Sequence, residues 1–169
     1  MAALPPFTDD ELALLRALVE AKVDFLVVGL AAAALQGAPA VTQDVDLWIA
    51  DRDDARFHDA LRRVGVTYVP PGMSNPPLLV GRGAELFDLV VHMHGLEPFE
   101  REATHAVTIR VGNVNLPVLS LERIIASKRA TNRPKDRAIL PALEDALRAI
   151  RARGSVTGGG PPAGSAGLA

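Results

Sequence analysis

Asp44-Val45-Asp46-Leu47-Trp48-Ile49 is the stretch on which the reading of this chain turns. Val45 to Ile49 is an apolar run of strand character, and along a strand residues i and i+2 share a face. The carboxylates of Asp44 and Asp46 therefore point the same way. When both are ionised they repel, unless a cation sits between them. A hard divalent ion such as Mg2+ meets that need, because it takes oxygen ligands and keeps positions open for substrate phosphates. The pair predicts a metal-dependent phosphate chemistry.

Working outward, Phe25-Leu26-Val27-Val28 reads as a buried strand ending at Gly29. The alanine-rich stretch to Leu35 is a short helix stopping near Gly37, and a loop through Pro39 leads into the aspartate strand. Ahead of these, Thr8 and Glu11 form a capping box for a helix with Leu12, Leu15, Leu18 and Val19 at helical spacing. Downstream, 51–63 is a helix with Phe57, Leu61 and Val64 facing inward and Gly65 as its stop. Two strands follow, about 77–82 and 86–92, and Gly81-Arg82-Gly83-Ala84 suits a hairpin turn between them. A second hairpin pairs 106–111 with 114–118 around Gly112-Asn113. Ser120 caps a helix from Leu121 to about Ala130, and Pro134 opens a last helix to about Arg151. Strands and helices mix without a strict βαβ repeat. That predicts an α+β fold, a mixed sheet with helices packed mainly on one side.

The chain of 169 residues carries a net charge of −2, with 49 % apolar and 22 % charged residues. Such a composition suits one globular domain and leaves no global basic footprint for bulk nucleic-acid binding. The absence of cysteine excludes disulfides, thiolate metal sites and a cysteine nucleophile. No basic stretch with an apolar signal core opens the chain, and no apolar run reaches membrane-spanning length, so a cytoplasmic protein without membrane partners is expected. From Gly154 onward the chain has no charge and consists of small or apolar residues and proline. It is expected to be a disordered tail, 154–169, after a single domain, 1–153.

Two more elements bear on the chemistry. Asp88 stands inside the apolar strand Leu86-Phe87-Asp88-Leu89-Val90-Val91, where a carboxylate is costly unless paired, hydrogen-bonded or metal-bound. Gly29, between a strand and a helix, lets backbone approach an anion closely. If the Asp88 strand lies beside that of Asp44 and Asp46, the three carboxylates build a two-metal clamp for in-line nucleotidyl transfer. Lys128, Arg129, Arg133, Lys135 and Arg137 form a basic cluster that either holds phosphates or is a solvated face, with Lys128 the residue best placed to reach a site. Asp136 suits the first turn of the last helix. His92 and His94 alternate after the Asp88 strand, but apart from Asp88 itself no other histidine or carboxylate stands at an obvious ligand spacing for a transition metal. Trp48 reads as core rather than as a base-stacking platform.

Gly29-Leu30, the segment to Gly37, Pro39, Thr42 and Asp44-Val45-Asp46-Leu47-Trp48 together resemble the signature of the DNA polymerase β-like nucleotidyltransferase superfamily. That signature is a Gly-Gly or Gly-Ser pair followed by an Asp-x-Asp pair opening the next strand. Leu119-Ser120-Leu121-Glu122, Ser127-Lys128-Arg129 and Arg133-Pro134-Lys135-Asp136 are similar to small bacterial members related to abortive-infection toxin–antitoxin systems. The resemblance covers most of residues 24 to 145 and implies a nucleotidyltransferase-like sheet.

It implies that Asp44, Asp46 and Asp88 are catalytic and hold Mg2+ or Mn2+, with Asp88 activating the acceptor hydroxyl. Gly29, Leu30, Thr42 and Lys128 would line the nucleotide site. The expected reaction moves a nucleoside monophosphate from an NTP to a hydroxyl of RNA, protein or a small molecule. The chain departs from the signature at Leu30, where the family has Gly or Ser, and at Ala40, where an arginine is often found. These departures leave an alternative, a regulatory protein on the same fold with weak or no catalysis, such as one half of a toxin–antitoxin pair.

Overall fold

In a computed structural model that describes residues 7–156, the aspartate run becomes a strand at the heart of a five-stranded mixed sheet. The first helix, α1 (Asp9–Glu20), starts at the expected capping box: the Thr8 amide donates to Glu11 Oε2 at 2.7 Å, and the Glu11 amide to Thr8 Oγ1 at 3.3 Å. Strand β1 (Phe25–Val28) runs straight into α2 (Gly29–Leu35), and β2 (Val45–Ile49) returns antiparallel to β1. All four β1 residues are buried, Phe25 and Val27 on one face, Leu26 and Val28 on the other. An apolar run with no alternation is what burial of both faces requires.

The chain then crosses over through α3 (Ala55–Arg63), β3 (Thr67–Val69) and β4 (Leu78–Val80) to β5 (Phe87–Val90), which lies parallel to β2. A short helix, α4 (Phe99–Glu102), and a 3-10 turn precede the hairpin of β6 (Ala106–Val111) and β7 (Val114–Leu119). Strand β7 lies parallel to β1, giving the sheet order β5-β2-β1-β7-β6. Helices α5 (Leu121–Thr131) and α6 (Pro134–Val156) close the described chain. No helix among the described residues is long and apolar enough to cross a membrane.

Several expectations need correction. Gly81-Arg82-Gly83-Ala84 does not make a hairpin: β4 pairs with β3 in a separate two-stranded sheet, and β5 pairs with β2. The turn residues fit a hairpin locally, but the partners of both strands come from elsewhere in the chain. Helix α3 starts at Ala55 rather than near Asp51, because the Asp54 carboxylate captures the Arg56 amide at 2.8 Å and sets the cap there. Ser120 stands at the N-cap of α5 without a side-chain capping bond. Gln36 supplies it instead: its Oε1 accepts from the Leu121 amide, and its Nε2 donates to Leu119 and Ala32 carbonyls, all at 2.9 Å. This one side chain ties the end of α2 to the start of α5. Helix α6 continues to Val156, past the expected boundary at Gly154. A helix already nucleated extends at one hydrogen bond per residue, so a glycine at its end does not stop it. The rest of the expected tail lies outside the described residues.

Candidate functional site

The sheet register does what the sequence could only suggest. Asp46 of β2 pairs with Asp88 of β5 in the parallel ladder, so the two carboxylates stand on one face of adjacent strands. On the other side Asp46 pairs with Val28, and the next residue, Gly29, begins α2. Gly29 has φ +69°, and a Cβ there would collide with Asp46 Oδ2. Glycine is thus required twice over, by its backbone conformation and by the carboxylate beside it. Asp44 stands between a bend at Gln43 and β2, and the Thr42 hydroxyl fixes it there by donating to the Asp44 carbonyl at 3.0 Å and accepting from its amide at 3.3 Å.

Leu30, Thr42, Asp44, Asp46, Asp88, Lys128, Arg133 and Lys135 line a single cavity of ≈ 350 Å³, together with Asp136 and Ile139. A second cavity of ≈ 380 Å³ adjoins it and includes Gly29. Gly29, Leu30, Thr42, Asp44, Asp46, Asp88 and Lys128, the residues expected at the site, therefore line these two adjoining cavities. Among the described residues, however, no three Asp, Glu or His side chains stand close enough together to form a ready-made metal cage. The convergence is of two carboxylates in register, with the third in the same cavity wall.

The electrostatics separate these aspartates from the others. None of Asp44, Asp46 and Asp88 has an ion-pair partner among the described residues. Burial pushes the Asp46 carboxyl above its ordinary range, and repulsion from Asp88 and Asp44 adds to it, while Lys128 and Lys135 pull the other way. Asp88 is raised too, first by burial and then by Asp44. Carboxylates that crowd without an ion-pair partner fit a hard divalent ion, which would take their oxygens and relieve the repulsion.

The cationic wall is organised by a residue whose depth the sequence did not reveal. Asp136 is 1 % exposed and accepts from Lys128 Nζ at 3.2 Å and from Arg133 Nε at 2.7 Å. It also takes the Arg133 amide at 3.2 Å, the capping role expected of it. These partners, Arg133 first, hold its carboxyl down at about 2. Asp136 thereby fixes two cations beside Asp46, Lys128 from α5 and Arg133 from the connection just before α6. The rest of the basic cluster splits: Arg129 pairs with Glu144 and Arg137 donates to the Asn132 carbonyl, whereas Lys135 keeps no ion-pair partner among the described residues. Trp48 packs edge-on against Phe99 at 5.3 Å, as core. His92 and His94 meet edge-to-face at 5.1 Å in the second cavity.

No protein-family model matches the chain, and no curated protein matches it significantly. Solved structures do. One is an antigenic nucleotidyltransferase-like protein from Paracoccidioides brasiliensis, with TM-score 0.53 and 16 % identity over 86 % of this chain and 79 % of that one. Another is ANT(2")-Ia, solved in complex with adenylyl-2"-tobramycin, with TM-score 0.53 and 16 % identity over 83 % of this chain and 94 % of that one. At such identity the likeness is one of architecture, and the chain has the nucleotidyltransferase-like fold.

Proposed function

We propose that this protein is a nucleotidyltransferase dependent on a divalent metal. It would transfer a nucleoside monophosphate from an NTP to a hydroxyl on RNA, protein or a small molecule, with release of pyrophosphate. The observation that carries this reading is the in-register pair Asp46–Asp88, which has no ion-pair partner among the described residues and shares its cavity with cations held by Asp136. Bound Mg2+ or Mn2+ would neutralise the triphosphate and stabilise the leaving pyrophosphate. Asp46 and Asp88 would hold it, with Asp44 as the third carboxylate of the same cavity. Lys128, Arg133 and Lys135 would bind the triphosphate oxygens as charged donors. Asp88 would also accept the proton of the acceptor hydroxyl as the new P–O bond forms and the pyrophosphate departs with its electron pair. Thr42 would keep Asp44 in place.

The test is label transfer from each α-labelled NTP, with Mg2+ or Mn2+, to candidate acceptors. Transfer above an Asp44→Ala/Asp46→Ala control is expected; its absence with every NTP and acceptor class rejects turnover.

One observation favours a second reading. Leu30 places an apolar side chain in the cavity wall, and the three carboxylates do not form a closed cage. A domain with weak or no catalysis, acting through a partner such as a toxin or antitoxin, would have this character. Titration calorimetry separates the two: the enzyme binds NTP in a Mg2+-dependent way, the degenerate domain does not. Recovery of NTP binding in Leu30→Ser would identify the leucine as the block.

A further inference from the structure

The charged groups of the proposed reaction account for only one of the two adjoining cavities. All three aspartates line the cationic cavity, along with Lys128, Arg133 and Lys135. The second cavity shares Asp46, Lys128 and Arg133 with it, and of the three aspartates only Asp46 reaches both. Its remaining lining is of another kind: Val90, Met93 and Ile124 are apolar, His92 and His94 contribute their rings, and Gly29 of α2 and Ser127 and Thr131 of α5 are small residues. The histidine turn is pressed onto α5, since Gly95, at φ +72°, lies so close to Ala130 that a Cβ there would overlap it. The wall is thus built into the packing of the fold.

We propose, resting on the nucleotidyltransferase reading, that this second cavity is the nucleoside site, with the base held against His92, His94 and Met93. A nucleotide is a flat, weakly polar head joined to a polyanionic tail. The two cavities match that division, and they meet at Asp46, where the α-phosphate that joins head to tail belongs. The volume of ≈ 380 Å³ lies within the range of small-ligand pockets and leaves no room for a macromolecule. Imidazole and thioether groups suit a base of any sequence, because every base offers a π face. The acceptor is the other candidate occupant, and Asp88 argues against it. The hydroxyl must reach Asp88, which lines the cationic cavity and not this one. Strand β5 is moreover an edge of the sheet, so the acceptor approaches Asp88 from that side.

The experiment compares ATP with inorganic tripolyphosphate, which has the tail and no head. Dissociation constants are measured by calorimetry in Mg2+ on the full chain, wild type and His92→Ala/His94→Ala. Both histidines are exposed, so their removal leaves the core intact. The expected result is that ATP binds the wild type more tightly than tripolyphosphate, and that the double variant weakens ATP about tenfold, the loss of one stacking contact, while tripolyphosphate changes less than about twofold. In the wild type, the ring protons of His92 and His94, two of four histidines, shift in NMR spectra with ATP and not with tripolyphosphate. Equal losses for both ligands, or no loss for either, overturn the nucleoside site while the metal–triphosphate reading stands. A wild type that binds neither ligand rejects the functional reading itself, and the nucleoside site with it.

Discussion

Two sets of carboxylates in this fold have opposite surroundings, one buried and paired, the other at the cavity and unpaired. Glu102 is fully buried and receives both ends of the Arg123 guanidinium, at 2.7 and 2.8 Å, plus the Glu97 amide at 2.9 Å. Asp136 takes Lys128 and Arg133 in the same manner. Those hydrogen bonds hold both carboxyls below their ordinary range. Asp46 and Asp88 sit side by side with no such partner, and both are raised. The fold pairs Glu102 and Asp136 with cations, yet leaves two in-register aspartates without an ion-pair partner among the described residues, which is what the proposed metal site needs. Unfavourable ionisation kept at one place is the mark of a functional site.

The comparison is sharpened most by neutralising one side. Asp46→Asn or Asp88→Asn is expected to lower nucleotidyl transfer by more than about two orders of magnitude, as removal of a charge-stabilising group does elsewhere. Neither substitution should lower the melting temperature. Asp136→Asn should do the reverse in kind. It leaves Lys128 buried beside a neutral amide, and breaking a buried ion pair on one side costs about 3 kcal/mol. For a domain of this size that is a fall in Tm of about 6–12 °C. Differential scanning calorimetry on the two variants separates the sets. An Asp46→Asn protein that melts far below wild type would break the distinction.

A smaller effect probes how Gly29 serves the unsatisfied pair. Gly29 and Gly37 both have positive φ, +69° and +91°, so alanine at either is strained by about 1–2 kcal/mol. Only at Gly29 does the added Cβ meet a neighbour, the Asp46 carboxylate; at Gly37 the space is open. Gly29→Ala should therefore lose the stabilisation that Mg2+ confers on wild type, and Gly37→Ala should keep it. Thermal shifts with and without Mg2+ read the difference.

The aspartate pair was legible in the sequence because its signals are local. Two carboxylates at i and i+2 in an apolar run, and a third inside another run, need no tertiary knowledge to be noticed. The β6–β7 hairpin was legible for the same reason, since Gly112-Asn113 and the flanking strands are adjacent in the chain. What stayed hidden depends on distant partners. Asp136 looked like a first-turn residue and is one, but its burial depends on Lys128, which comes from the preceding helix. Gln36 carried no signal at all, although it caps α5 from 85 residues away. Strand β3 is three residues long, and its pairing with β4 took the place of the hairpin that the glycines at 81 and 83 suggested. The aspartates of the proposed site were readable; the burial of Asp136, which holds Lys128 and Arg133 in the same cavity, was not.

The finest test of the comparison is the pH dependence of stability, where the two sets have opposite signs. Asp136 is lowered to about 2, so below that pH it is protonated in both states and contributes nothing. Its contribution is complete above the unfolded pKa of about 4 and is lost as pH falls from there towards 2. Asp46 is raised, so the unfolded chain gives up this proton first as pH increases. Its ionisation begins to destabilise the metal-free fold above pH about 4, and the full cost is present once pH exceeds the folded value. At pH 7 the metal-free Asp46→Asn variant should accordingly be more stable than wild type, by about 1 kcal/mol, as is common when a strained functional group is relieved. At pH 4 the advantage should shrink, because the raised Asp46 carboxyl keeps its proton longer in the fold than in the unfolded chain. Saturating Mg2+ at pH 7 should erase the advantage from the other direction, by stabilising wild type alone. Urea unfolding of both proteins at the two pH values, with and without Mg2+, gives the three differences. An advantage independent of pH and of Mg2+ would mean that Asp46 is unsatisfied for reasons of packing, and not held open for a cation.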